Sequence, residues 1–387
     1  MRVAIFAESY LPYRSGVTVS TDALAAGLAA AGHDVLLVAP RPAAVWPALP
    51  AGVQVAWLPS YQLPALVPPD YRMPLPLAWR AAMREVLDFA PDVLHAQSPF
   101  ASGLLALRLA RRLDAPLIFT HHTRFADYRH YLGPLARPGV LLMGAYLRTF
   151  WSRCAAVIAP SHDMACDIEE RLARDRARPI LRVIPTGLHL MMIRTLDAVD
   201  PRPLVGWPAD ALVVASLGRL APEKSVAELV DSVLAARRRE PRLRLLLVGG
   251  GPLEAALRRR WDGAPDAPVH VTGGMPRLDA LALLKGADLF AFASRTETQG
   301  LVLAEALTCG LPVVARAGPA VGESVRDGVD GAIVASPAAF ADALLGLAGD
   351  PKRREAMAAA ALAGSDRFDQ SLRVAEMLEL YRDVLTP

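Results

Sequence analysis

The chain of 387 residues is 53% apolar and 21% charged, with a formal net charge of +3, a globular balance that excludes a disordered chain and leaves room for two domains with their own cores. Cys154, Cys166 and Cys309 have no paired spacing, which argues against a disulfide framework or a zinc site and fits a reducing cytoplasm. No apolar run nears the ~20 residues of a spanning helix, and Met1-Arg2-Val3-Ala4-Ile5-Phe6-Ala7-Glu8 reads as a buried strand interrupted by an acid rather than a signal peptide.

Short apolar runs at Val3–Ala7, Asp34–Ala39, Val53–Leu58, Val93–Ala96, Pro116–Thr120, Ala155–Ala159 and Leu181–Ile184 read as strands. Amphipathic stretches such as Thr18–Ala31, Leu77–Phe89 and Ser102–Leu113 lie between them as helices. Strands that are apolar throughout, rather than alternating, imply a parallel sheet covered on both faces. The passage from Pro185-Thr186-Gly187 to Pro201-Arg202-Pro203 reads as a linker. The second half repeats the plan, with strands at Leu212–Leu217, Leu243–Val248, Val269–Thr272, Leu289–Ala293, Pro312–Ala315 and Ala332–Val334. A last helical stretch, Leu372–Leu385, has the pattern to pack back on the first domain. Residues 1–190 hold 19 basic and 14 acidic side chains, and residues 191–387 hold 23 and 25. The basic first half points weakly to an anionic partner, and drift in an arginine-rich chain explains it as well.

Ser15-Gly16-Val17 follows the first strand, where a glycine lets backbone approach a pyrophosphate. His121-His122-Thr123 closes the strand Pro116–Thr120, which would aim the imidazoles at a ligand. They suit an acid/base group, a hydrogen-bond donor to a sugar, or half of a metal site with His95; the chain has no Asp-x-Asp pair, which favours metal-free chemistry. At Leu217-Gly218-Arg219-Leu220-Ala221-Pro222-Glu223-Lys224-Ser225 a strand turns into a helix. Gly218 permits a tight turn, and Arg219 and Lys224 suit a departing diphosphate. Lys224 is one of three lysines against 39 arginines; the alternative is a solvated helix start with Glu223 and Lys224 paired. Gly249-Gly250-Gly251-Pro252 does not match G-x-G-x-x-G, which removes the usual support for a nicotinamide or flavin enzyme. In Thr296-Glu297-Thr298-Gln299-Gly300-Leu301-Val302-Leu303-Ala304-Glu305, Glu297 falls in a loop after a strand and Glu305 in the second turn of the next helix. Free N–H groups at the helix start attract an anion, and the two carboxylates can grip hydroxyls beside it. That layout suits a nucleotide-sugar site.

Together these motifs resemble the family 4 retaining glycosyltransferases of the GT-B fold, over nearly the whole chain. The resemblance rests on E-x7-E from Glu297 to Glu305, G-R-L-x-x-E-K at Gly218–Lys224, Pro-Thr-Gly at 185–187, the glycine loop at Gly16 and His122-Thr123. It implies an α/β architecture of two Rossmann-like domains, 1–190 for the acceptor and 191–369 for the nucleotide sugar. These would face a central cleft, with a helix near 370–387 returning to the first. It also implies that Glu297 contacts sugar hydroxyls, Glu305 the ribose, Arg219 and Lys224 the diphosphate, and His122 the donor sugar. Gly16, Gly218, Gln299, Gly300 and Leu301 would complete the donor site. No cofactor or metal is implied, and transfer would retain configuration through same-face attack helped by the leaving diphosphate.

The segment His122-Thr123-Arg124-Phe125-Ala126-Asp127-Tyr128-Arg129-His130-Tyr131 resembles the diacylglycerol glucosyltransferases, which implies a lipid acceptor held by Asp127, Tyr128 and Tyr131. Phe125 and Ala126 replace the Tyr and Glu usual in that subgroup, His189 stands where the family commonly has Asp, and Ser15 where it often has Gly. Phosphatidylinositol mannosyltransferases, using GDP-mannose, share the donor motifs, and nucleotide-sugar 2-epimerases share the fold. The stretch Leu135–Arg153 mixes Leu, Val, Met, Phe150 and Trp151 with arginines; it suits an interfacial helix or an ordinary one buried on one side. The expectation is a UDP-hexose transferase in the cytoplasm, peripheral on the inner face of the membrane, with a lipid acceptor and no nucleic-acid partner.

Overall fold

The computed structural model describes residues 1–13, 15–43, 46, 48–62, 71–75, 79–125, 136–173, 178–261 and 266–386. The chain divides into two compact units, Met1–Gly187 with Gln370–Pro387, and Leu188–Asp369. The first unit lays down β1 (Arg2–Phe6), β2 (Asp34–Pro40), β3 (Val53–Leu58), β4 (Ser60–Tyr61), β5 (Met73–Pro74), β6 (Val93–Ala96), β7 (Leu117–Thr120), β8 (Ala156–Ala159) and β9 (Ile180–Val183). Its parallel sheet runs β3-β2-β1-β6-β7-β8-β9, with β4 and β5 as a separate antiparallel pair.

The apolar strands are explained by what covers them. Ala4 and Phe6 of β1 pack toward Ala82, Leu105, Phe150 and Trp151 on one face. Val3 and Ile5 pack toward Ala25, Leu28, Met377 and Tyr381 on the other, so Gln370–Leu385 is a structural layer of the first unit. The helix Gly16–Ala30 begins two residues earlier than its apolar pattern because Ser15 caps it: Thr18 N donates to Ser15 Oγ at 3.2 Å and Ser15 N to Thr18 Oγ1 at 2.8 Å.

The second unit contains β10 (Leu212–Leu217), β11 (Leu243–Val248), β12 (Val269–Gly273), β13 (Leu289–Phe292), β14 (Val313–Arg316) and β15 (Gly331–Val334), in the parallel order β12-β11-β10-β13-β14-β15. Val213 and Ala215 face one helical layer and Leu212 and Val214 the other. The stretch read as a linker contributes to the core: Leu188, Leu190 and Ile193 are buried in this unit, and the stretch carries the short helices Leu190–Arg194 and Pro201–Val205. Its prolines and polar residues mask three apolar anchors. In each sheet the winding reverses once, between β1 and β6 and between β10 and β13. Such switch points open a crevice at the carboxyl ends of the strands, where ligands bind in this architecture.

Among the described residues no helix is long and apolar enough to cross a membrane. The helix Ala136–Trp151 buries Leu147, Phe150 and Trp151 while Leu141 and Leu142 remain 75% and 74% exposed.

Candidate functional site

In the second unit the loops after β10 and β13 flank the switch point. After β10 the chain passes Gly218 and Arg219 into a single 3-10 turn, Pro222–Lys224, before the helix Val226–Arg237. A Cβ on Gly249, after β11, would collide with the Gly218 carbonyl, so that glycine allows the two strand ends to meet. Gly218 N donates to Val248 O at 3.0 Å and Leu220 N to Gly250 O at 2.9 Å, which fixes the loop. After β13, residues 294–299 lead to Gly300, whose φ of 73° caps the helix Leu301–Thr308 and favours glycine there.

Polar contacts stitch the two loops together. Lys224 Nζ donates to Glu297 Oε1 at 2.6 Å, and Thr296 Oγ1 donates to the Glu223 carbonyl at 3.1 Å. Lys224 therefore pairs with Glu297, not with its neighbour Glu223. Arg219 is half exposed and lies 3.9 Å from Glu223 Oε1. Behind the loops, Glu228 accepts from Arg295 at 3.1 Å and from Arg316 at 2.6 Å.

Glu305 sits in its expected helix with its side chain 5% exposed, held by Arg277 at 2.5 Å and, through Nε, at 2.8 Å. Burying a carboxylate is costly unless it is paired and hydrogen-bonded, and Arg277 supplies both contacts. Sequence reasoning missed Arg277. It opens the helix Arg277–Lys285 immediately after Pro276, and a cation at a helix start after a strand was the available signal.

The first unit is built differently. His122 Nε2 lies 2.7 Å from Gln97 Oε1, and burial lowers its pKa to about 4. At neutral pH it is an uncharged imidazole, suited to one donated and one accepted hydrogen bond. His121 does not share its direction, because successive residues of an extended chain face opposite ways. It is buried edge-on to Trp151 with centroids 5.1 Å apart, and burial lowers its pKa to about 3. The expectation that both imidazoles reach a ligand is corrected for His121.

His95 is fully buried with both ring nitrogens engaged, by Tyr381 and Thr120, each at 2.7 Å. That removes it as a metal ligand beside His122. No group of three or more His, Cys, Asp or Glu among the described residues could hold a metal ion. Gly16 is the first residue of its helix, and a Cβ there would meet no atom of the other described residues within 4 Å. Among the described residues nothing demands glycine there, whereas a ligand backing onto the helix start would. Asp127, Tyr128 and Tyr131 lie outside the described residues. Gln299 and Leu301 are partly buried around Gly300.

Two family models match the chain, "Glycosyltransferase Family 4" over residues 14–190 and "Glycosyl transferases group 1" over residues 211–350. An alpha-monoglucosyldiacylglycerol synthase of Acholeplasma laidlawii is 28% identical, with 86% of this chain and 84% of the relative covered. A GDP-mannose-dependent alpha-mannosyltransferase of Mycolicibacterium smegmatis is 33% identical, with 81% and 79% covered. Among solved structures, a sucrose-phosphate synthase from Thermosynechococcus elongatus superposes with a TM-score of 0.75 at 20% identity, covering 99% of this chain and 98% of that one. Anabaena HepE in complex with UDP and glucose reaches 0.73 at 19% identity, covering 99% and 100%.

Proposed function

The chain belongs to glycosyltransferase family 4, the retaining transferases of the GT-B fold, and on that premise we propose that it moves a hexose from UDP to a lipid hydroxyl such as that of diacylglycerol. The lipid acceptor is carried by one observation: similarity to alpha-monoglucosyldiacylglycerol synthases of two organisms, covering 84% and 78% of their lengths.

In this reading Arg219 and Lys224 meet the diphosphate and stabilise the charge that grows on it as the glycosidic bond breaks. The Lys224–Glu297 pair holds Lys224 in place before substrate arrives, so little reorganisation is left for the transition state. Glu297 takes sugar hydroxyls beside the first turn of Leu301–Thr308, and Glu305, oriented by Arg277, takes the ribose hydroxyls. Gln299, Gly300 and Leu301 offer backbone to the phosphates, and Gly218 keeps the approach open. Neutral His122 serves the donor sugar as a hydrogen-bond partner. The acceptor hydroxyl then attacks from the face the diphosphate leaves, and its proton passes to the departing phosphate oxygen. No metal takes part, and the lipid is met at the inner membrane surface, with Asp127, Tyr128 and Tyr131 on the acceptor side.

A second reading has its own support. The 33% identity to a GDP-mannose-dependent enzyme favours mannosyl transfer with the same donor-side residues. Nucleotide release by purified protein, given UDP-glucose, UDP-galactose or GDP-mannose with and without diacylglycerol vesicles containing anionic lipid, separates the two. Lipid-dependent release from a UDP-hexose is expected. Release only from GDP-mannose would transfer the proposal to the mannosyl reading, and release only with soluble sugars would remove the lipid acceptor. Release of an epimer with no acceptor present would replace transfer by epimerisation.

A further inference from the structure

The ends of β6 and β7 carry a polar arrangement that the proposed transfer uses only at its outer edge. Side chains two apart on an extended chain face the same way, which puts His95 and Gln97 on one face with Thr120 and His122. Two rungs join the strands. His95 Nε2 meets Thr120 Oγ1 at 2.7 Å, and Gln97 Oε1 meets His122 Nε2 at 2.7 Å. The inner rung continues to the C-terminal helix, where the fully buried Tyr381 reaches His95 Nδ1 at 2.7 Å.

Gln97 is 3% exposed, and its amide nitrogen meets no acceptor among the described residues. It lines a small cavity with Ser20, Thr120, Thr186 and Gln370. The amide oxygen is the end that meets a protein partner, His122 Nε2.

We propose that Gln97 is a positioning residue for His122: its amide oxygen accepts from Nε2–H and fixes that tautomer, leaving Nδ1 as the acceptor. The Tyr381–His95–Thr120 rung keeps the two strand ends at the spacing this bond needs, which makes the C-terminal helix a remote support of the site. The consequence for catalysis rests on His122 serving the transfer as proposed above; the tautomer assignment does not.

Nitrogen-15 NMR of histidine-labelled protein reads the tautomer directly. The wild type is expected to show His122 as a single Nε2–H tautomer. Gln97→Met, of similar size, should give mixed tautomers and lower kcat about tenfold, with donor KM unchanged, for loss of one orienting hydrogen bond. Gln97→Glu should restore the tautomer and raise turnover above that of Gln97→Met, since a carboxylate oxygen also accepts. Tyr381→Phe should act in the same direction as Gln97→Met, more weakly, with Tm within about 3 °C of wild type. An unchanged tautomer in Gln97→Met, or a rise in KM with kcat intact, would overturn the proposal. His122→Ala tests the reading beneath it. Normal transfer by that variant would remove His122 from catalysis while the NMR result still decides the role of Gln97.

Discussion

The two units carry different polar groups at the strand ends around their candidate sites. In the second, opposite charges stand in contact: Lys224 on Glu297, Arg277 on Glu305, and Arg219 near Glu223. In the first, the imidazoles of His95, His121 and His122 are all held neutral by burial, with pKa values lowered to about 3, 3 and 4. A site for a diphosphate needs cations that are already fixed, and pairing them with carboxylates fixes them. A site where an uncharged hydroxyl reacts gains from groups that donate and accept without adding charge. On the proposed function, the donor's negative charge falls to the second unit and orientation to the first.

The strongest way to break that division is Glu297→Ala, which should cut sugar transfer by about 10²–10³-fold while far-UV circular dichroism stays that of the wild type. Near-normal turnover would remove Glu297 from the site. A smaller effect is expected of Arg277→Met, which leaves Glu305 buried without its cation. UDP binding by calorimetry should weaken about tenfold, and an unchanged Kd would show that Glu305 needs no such partner.

Acidification should act on the first unit. A histidine whose folded pKa lies below its unfolded value of about 6.5 gains stability from its neutral form. That stability is complete above about pH 6.5 and is lost as pH falls toward about 4 for His122. Tm by calorimetry should therefore fall between pH 7 and pH 5. A Tm that rises over the same interval would mean that these imidazoles are not buried as described. Excess chelator should have the smallest effect, leaving turnover unchanged; a strict requirement for Mg²⁺ or Mn²⁺ would contradict metal-free departure of the diphosphate.

What the sequence makes legible follows range. Strands such as Leu243–Val248 read clearly because both faces of a parallel sheet are covered, and every residue is then apolar. Glu297 and Glu305 are also legible, since one loop and two helical turns fix where each falls. The Lys224–Glu297 bond joins residues 73 apart, and Arg277 reaches Glu305 across 28. Neither contact follows from local pattern: the first depends on β13 lying beside β10 where the strand order reverses, and the second on how the helices before and after β13 pack together. Gln97 is hidden for the same reason, as its partner is one strand away. The opposed directions of His121 and His122 were open to the period-two rule, and the apolar Leu188, Leu190 and Ile193 marked core within a stretch whose prolines suggested a linker.

The division of labour is tested most directly by the affinity of UDP for Lys224→Ala and His122→Ala, measured by calorimetry beside the wild type. The account predicts a Kd raised about tenfold or more in Lys224→Ala, from loss of a charge-assisted contact, and a wild-type Kd in His122→Ala. Equal weakening in both variants, or weakening in His122→Ala alone, would contradict it.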